Sequence, residues 1–96
     1  MWQLVAENGG QEVLPQLLGY MRERRLHRER WVGALVDACV PIRLVNGLRD
    51  PISGAHMVAR YRELVREPDV VELPTVGHYP QVEAPDDVAD AALALF

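Results

Sequence analysis

PIRLVNGLRDPISG (residues 41–54) and VVELPTVGHYPQVEAP (residues 70–85) are the two stretches that decide the fold. Each begins with a short strand-like run, over residues 41–47 and 70–73, and turn-forming residues follow it, which is typical of a β-strand. Between the two runs, apolar residues recur at helical spacing, at Met57, Val58, Tyr61, Leu64 and Val65. Strand, helix and strand in this order predict two parallel strands joined by a right-handed crossover, so the predicted fold class is α/β.

Residues 1–38 carry only helical signals. Asn8-Gly9-Gly10 is a good helix stop, because glycine and asparagine adopt the backbone conformation that ends a helix. The run RERRLHRER (residues 22–30) contains five arginines and two glutamates, and we interpret it as a solvated helix face or a connection rather than an anion-binding patch. The predicted helices cover residues 1–7, a segment beginning at about Glu12, and a segment that carries Trp31 and Leu35.

The second half of the chain is predicted to end in one more helix, capped by Asp86 and apolar on one side. Two strands alone do not make a stable parallel sheet, because such a sheet needs neighbouring strands and cover on both faces. We therefore expect this unit to be the edge of something larger, with an open sheet edge.

Composition excludes several classes of protein. The chain has 96 residues, of which 49% are hydrophobic and 25% are charged, which fits one small globular domain. The net charge of −4 gives no argument for binding nucleic acid or an anionic membrane. A single cysteine excludes an internal disulfide and fits a reducing compartment. No apolar stretch approaches the roughly 20 residues that a membrane-spanning helix requires, so we expect a cytoplasmic protein.

Two residues with acid–base chemistry follow the two predicted strands. Asp50 comes three residues after Gly47, and His78 comes five residues after Leu73. Because functional groups gather beyond the carboxyl ends of parallel strands, the two side chains are predicted to meet. An aspartate that accepts the Nδ1 proton of a histidine orients the ring and leaves Nε2 as a base. The residues alone leave open that Asp50 only shapes the turn before Pro51 and that His78 is an ordinary loop residue.

The same stretches resemble a known family. PIRLVNGLRDPISG followed by VVELPTVGHYPQVEAPDDV is similar to the C-terminal part of α/β-hydrolase-fold proteins, above all the capped branch of haloalkane dehalogenases and epoxide hydrolases. The resemblance implies that residues 1–38 are a helical segment from the end of a cap domain and that residues 39–96 are the C-terminal part of the hydrolase core. It also implies a catalytic triad with Asp50 as the acid and His78 as the base, acting on a small-molecule substrate in the full-length protein.

The nucleophile of such a triad is not found in these 96 residues. In this family it precedes the acid and the histidine, in a G-x-S-x-G-like turn between a strand and a helix. Ser53, the only serine, follows the acid, and we interpret it as an N-cap residue. Cys39 has no elbow glycines beside it, and we interpret it as a buried, unreactive thiol. The glycine-containing oxyanion-hole loop is not found either, so we predict a hydrolase fragment that supplies acid and histidine and is inactive alone.

The histidines and the cysteine do not form a metal-binding pattern. His27, His56, His78 and Cys39 lack the spacing of zinc ligands, so neither a metal nor another cofactor is expected. The alternative function, from another class, is a non-catalytic α/β interaction module that docks on a partner through its open sheet edge. The same open edge leads us to expect self-association.

Overall fold

The computed structural model describes residues 2–96, and Met1, the first residue of the helix predicted over residues 1–7, lies outside them. The chain divides into two compact units, the first ending at Ala34 and the second covering Leu35–Phe96. We call residues 2–34 the helical region and residues 35–96 the sheet region. In chain order the elements are α1 (Trp2–Ala6), a 3₁₀ turn (Glu7–Gly9), α2 (Gly10–Leu17), α3 (Tyr20–Leu26), α4 (Arg28–Val36), β1 (Arg43–Gly47), α5 (Ala55–Leu64), β2 (Asp69–Leu73), α6 (Pro80–Glu83) and α7 (Pro85–Leu95).

The helical region is a series of short helices separated by local breaks. Asn8 and Gly9 have positive φ angles of 55° and 73°, and α1 has ended before them as the sequence predicts. The next helix begins at Gly10, slightly before the predicted start. The charged run over residues 22–30 is exposed throughout, which confirms its interpretation as a solvated surface. None of the helices within residues 2–96 combines the length and the apolar character that crossing a membrane requires.

β1 and β2 form a two-stranded parallel sheet, which confirms the predicted strand direction and the α/β class. The pairing runs from Arg43 opposite Asp69 to Gly47 opposite Leu73, so the two strands end level with each other. α5 lies between them in the chain and returns it to the start of the second strand. The segments that follow Gly47 and Leu73 therefore leave the sheet at the same edge.

The core of the sheet region is small. Its buried apolar residues are Val58 on α5, Leu73 at the end of β2, Val76 in the loop after it, and Ala91 on α7. Two of these four residues, Leu73 and Val76, lie on the segment that leads to His78. Packing in this core therefore bears directly on where that histidine is held.

Arg43 joins the beginning of the sheet to α7. Its Nε donates to both carboxylate oxygens of Asp69 at 3.1 Å, and its Nη2 lies 3.0 Å from Oδ2 of the same residue. Its Nη1 donates to the carbonyl oxygen of Ala91 at 2.9 Å. A guanidinium group that bonds a carboxylate through two nitrogens is among the stronger polar contacts in proteins, and here it connects β1, β2 and α7.

Two predicted helix caps are wrong. The N-cap of α5 is Gly54 rather than Ser53, and α7 begins at Pro85, which places Asp86 inside its first turn. Proline at the first helical position has a suitable φ and no N–H that needs a partner, so it starts the helix without a capping side chain. Pro80 has the same position in α6, a single turn of helix within the stretch predicted as a loop.

Candidate active site

Asp50 lies in the tight turn that follows β1. Its side chain is only 6% exposed, and both of its carboxylate oxygens accept hydrogen bonds from the turn itself. Oδ1 accepts the backbone N–H of Ile52 at 2.8 Å, and Oδ2 accepts the hydroxyl of Ser53 at 2.9 Å. Asp50 therefore does shape its own turn, and the same bonds fix the direction of its carboxylate.

The surroundings of Asp50 favour its ionised form. Burial by itself raises the pKa of the carboxyl, but hydrogen bonds from the backbone of Ile52, from the ring of His78 and from Ser53 outweigh it. Together they hold the pKa of Asp50 well below its ordinary value of 3.8. The turn therefore presents a carboxylate anion, which can accept hydrogen bonds but cannot donate them.

The loop that carries His78 is joined to the aspartate turn by backbone hydrogen bonds. The N–H of Leu48 donates to the carbonyl oxygen of Leu73 at 3.1 Å. One residue further on, the N–H of Arg49 donates to the carbonyl oxygen of Val76 at 3.0 Å. These bonds continue the connection between the two strands beyond the end of the sheet, so the two loops leave it side by side.

Gly47 permits this close approach. A Cβ atom at this position would lie 2.2 Å from the carbonyl oxygen of Gly77 and 2.5 Å from that of Val76. Real Cβ atoms do not come so near to backbone oxygens, so any other residue would force the two loops apart. The glycine that ends β1 is therefore part of what places the histidine beside the aspartate.

His78 and Asp50 meet at this edge of the sheet. Nδ1 of His78 lies 2.7 Å from Oδ2 of Asp50, so the predicted contact is confirmed. Because an ionised carboxylate only accepts, the ring donates from Nδ1, and the neutral form of the ring then has its free lone pair on Nε2. The histidine side chain is 43% exposed, in contrast to the covered aspartate. The geometry is that of an oriented base, while the catalytic role of both residues stays a prediction.

Sequence reasoning missed the roles of three polar residues around this pair. Ser53 bonds the carboxylate instead of capping a helix, and the Nδ2 group of the buried Asn46 donates to the carbonyl oxygen of Ser53 at 2.8 Å. Glu83 accepts the backbone N–H groups of Gly77 and Tyr79, each at 3.1 Å. A signal for Glu83 was available, because an acidic residue near the start of a helix often bonds backwards to the N–H groups before it.

The remaining histidines and the cysteine lie apart from the pair. His56 on α5 approaches the carbonyl oxygen of Ile52 through Nε2 at 2.9 Å, and the ring of His27 lies 5.7 Å from that of Trp31 in the helical region. Cys39 is exposed, so its predicted burial is wrong: it lies between α4 and β1, outside any helix or strand. Within residues 2–96, no group of three or more histidine, cysteine or acidic side chains is arranged to hold a metal ion.

A groove of about 480 Å³ opens elsewhere in the sheet region. Its lining comes from residues 35–42, from the end of α5 and the turn after it, and from Asp69 at the beginning of β2. Asp50 and His78 follow the other ends of the strands and do not line it. The groove is therefore not part of the candidate site.

Comparison with known proteins gives relatives for nearly the whole chain. It is 45% identical over 94 residues to a Mycobacterium tuberculosis protein named "Putative hydrolase LipZ", a match that covers 98% of this chain and 33% of that protein. It is 37% identical over 87 residues to the mesoderm-specific transcript protein of Mus musculus and 36% identical to its human homolog, covering 88% of this chain and 26% of each. No family model and no solved structure matches.

The chain spans about a third of the length of the mycobacterial relatives and about a quarter of the mammalian ones. It is thus similar, over almost all of its residues, to one part of a protein that is named as a hydrolase.

Proposed function

We propose that this chain is the acid- and histidine-bearing part of a hydrolase with the α/β-hydrolase fold. Residues 39–96 would be the C-terminal part of its core, and residues 1–38 a helical segment from the end of its cap. The observation that carries the proposal is the 2.7 Å contact between Nδ1 of His78 and Oδ2 of Asp50 beyond the ends of two parallel strands. The similarity to a protein named as a hydrolase supports it independently.

In the proposed reaction His78 acts as the general base. Its Nε2 takes the proton of a nucleophile's hydroxyl, or of a water that attacks a covalent intermediate, and the ring becomes an imidazolium. Asp50 remains ionised, holds the ring through Nδ1, and stabilises that positive charge. The imidazolium then returns its proton to the leaving group, so the histidine ends the cycle neutral.

The nucleophile and the oxyanion donors of this reaction would come from outside the 96 residues. Among them Ser53 cannot serve as nucleophile in this arrangement, because its hydroxyl donates to Asp50 and not to His78. The isolated chain is therefore expected to hydrolyse an activated ester no faster than buffer does, since a base without its nucleophile retains little catalytic power.

The proposal is tested by restoring the rest of such a protein. We would replace the matching third of the mycobacterial relative with this chain and measure hydrolysis of p-nitrophenyl acetate, with the unaltered relative in parallel. The chimera is expected to be active, and His78→Ala and Asp50→Asn should each lower kcat by about 10³-fold or more. His56→Ala is the matched control and should change kcat little, because the His56 ring contacts the backbone carbonyl oxygen of Ile52 and not the Asp50–His78 pair.

Full activity of the His78→Ala chimera, or a folded chimera without activity, would contradict the proposal. The second candidate function, an interaction module, rests on the two-stranded sheet, whose strands each pair on one side only within residues 2–96. The open edge is expected to give a concentration-dependent dimer of the isolated chain under either function, so light scattering that detects such a dimer does not by itself distinguish them. A folded but inactive chimera, together with binding through the strand edge that a proline at an outward-facing edge position breaks, would favour the module.

A further inference from the structure

Glu83 bonds the backbone on both sides of His78. Its Oε1 accepts the N–H of Gly77 at 3.1 Å, and its Oε2 accepts the N–H of Tyr79 at 3.1 Å. One carboxylate therefore holds the residue before the histidine and the residue after it. A Cβ atom added at Gly77 would lie 3.2 Å from Oε1 of Glu83, so the loop lies tightly against this side chain.

The histidine needs such a support more than the aspartate does. Asp50 is covered and receives hydrogen bonds from its own turn, whereas the His78 side chain is 43% exposed and meets Asp50 through a single ring nitrogen. A side chain held at one atom keeps its direction only if its backbone is fixed. Two hydrogen bonds from N–H groups to an ionised carboxylate are a strong way to fix a short loop.

We propose that Glu83 is a positioning residue for His78: its carboxylate fixes the Gly77–Tyr79 backbone so that Nδ1 of the histidine stays on Oδ2 of Asp50. The inference rests on the proposed function, in which His78 is the base. The competing interpretation is that Glu83 only starts α6, since its bond to Tyr79 also satisfies the N-cap of that helix. That interpretation would leave the histidine in place when the carboxylate is lost.

The test observes the histidine directly in the 96-residue chain. A ring proton on Nδ1 that is held by a buried carboxylate exchanges slowly with water, and its NMR resonance can be assigned by its loss in His78→Gln. We expect Glu83→Gln to speed this exchange about tenfold. The glutamine amide has one oxygen that can accept a backbone N–H, but its NH₂ group is a donor and cannot accept the other one. Glu83→Ala, which removes both acceptors, should speed it more.

Glu63→Gln is the matched control. Glu63 is an exposed glutamate on α5 that pairs with Arg60 at 2.7 Å, so it undergoes the same chemical change away from the loop, and the exchange rate should stay that of the unaltered chain. Far-UV circular dichroism shows whether each variant is folded. If Glu83→Ala does not fold, the isosteric Glu83→Gln decides; if neither folds, the carboxylate is needed for the fold itself and the inference is rejected.

The outcomes separate this inference from the proposed function. Unchanged exchange in folded Glu83 variants would overturn the positioning role of Glu83 and leave the Asp50–His78 pair intact. If no protected ring proton is detected even in the unaltered chain, the contact between His78 and Asp50 does not form, and the proposed function is rejected as well. Faster exchange in both Glu83 variants, with Glu63→Gln unchanged, is the expected result.

Discussion

The helical region and the sheet region differ in whether they bury apolar side chains: both leave large apolar residues exposed, but within residues 2–96 only the sheet region buries any. No residue from 2 to 34 is buried, and Trp2, Leu4 and Leu26 are all more than 60% exposed, at 66%, 73% and 64%. The sheet region, by contrast, buries Val58, which is only 2% exposed. Helices satisfy their hydrogen bonds locally and need no partner to exist, whereas a parallel sheet forms only when distant segments meet. The difference teaches that, within residues 2–96, a buried core forms around the paired strands and the elements that pack on them.

The strongest way to break this contrast is Gly47→Ala. The added methyl group would lie 2.2 Å and 2.5 Å from two backbone oxygens of the histidine loop, and backbone cannot move aside as a flexible side chain can. We expect a loss of about 3 kcal/mol or more in the free energy of unfolding, together with loss of the contact between His78 and Asp50. Urea titration followed by circular dichroism measures the first, and the ring-proton resonance measures the second. An unchanged urea midpoint would show that the loop is not held against β1.

A pair of truncations sharpens the contrast in side-chain packing. Val58→Ala removes two methyl groups from the best-covered position of the sheet region and should cost about 2 kcal/mol of unfolding free energy. Leu17→Ala is the counterpart in the helical region, where the side chain is 61% exposed, and its effect should stay within about 0.5 kcal/mol. Both follow from the same urea titration. A cost for Leu17→Ala equal to that for Val58→Ala would mean that the helical region has a covered face in solution.

Asp50→Asn tests the sheet region through the pH dependence of stability, because the cost of the substitution at neutral pH should shrink as the pH falls. Because the folded state holds the pKa of Asp50 below its ordinary 3.8, the unfolded chain binds more protons near that pH. The stabilisation is therefore complete above about pH 5 and is lost as the pH falls through the folded-state pKa. The unfolding free energies of the unaltered chain and of Asp50→Asn should converge as the solution is acidified. A difference that stays constant down to about pH 2 would refute this; Asp37→Asn controls for the change in net charge.

Within the sheet region, the pairing of the strands could be predicted from the sequence, whereas the surroundings of single side chains could not. Two strand-like runs around a helical stripe were enough to predict parallel strands, and the rule that the ends of such strands share an edge was enough to predict that Asp50 meets His78. The sequence could not show that Ser53 bonds Asp50 rather than capping a helix, because a serine side chain suits both roles. The exposure of Cys39 was missed because burial depends on which elements surround a residue, and the residue type gives only a tendency for it.

The smallest effect is expected for Gly33→Ala, the counterpart of Gly47→Ala in the helical region. Gly33 lies within α4, and a Cβ atom added there would meet nothing within 4 Å. Alanine restricts the unfolded chain and favours the helix, so this change should raise helix content and stabilise by about 0.5–1 kcal/mol. Far-UV circular dichroism at rising temperature measures it. The same substitution would then have opposite signs in the two regions, because one glycine lies on an open helix and the other lies against the backbone of a second loop. A loss of stability in Gly33→Ala would show instead that a surface packs closely against α4 at this position.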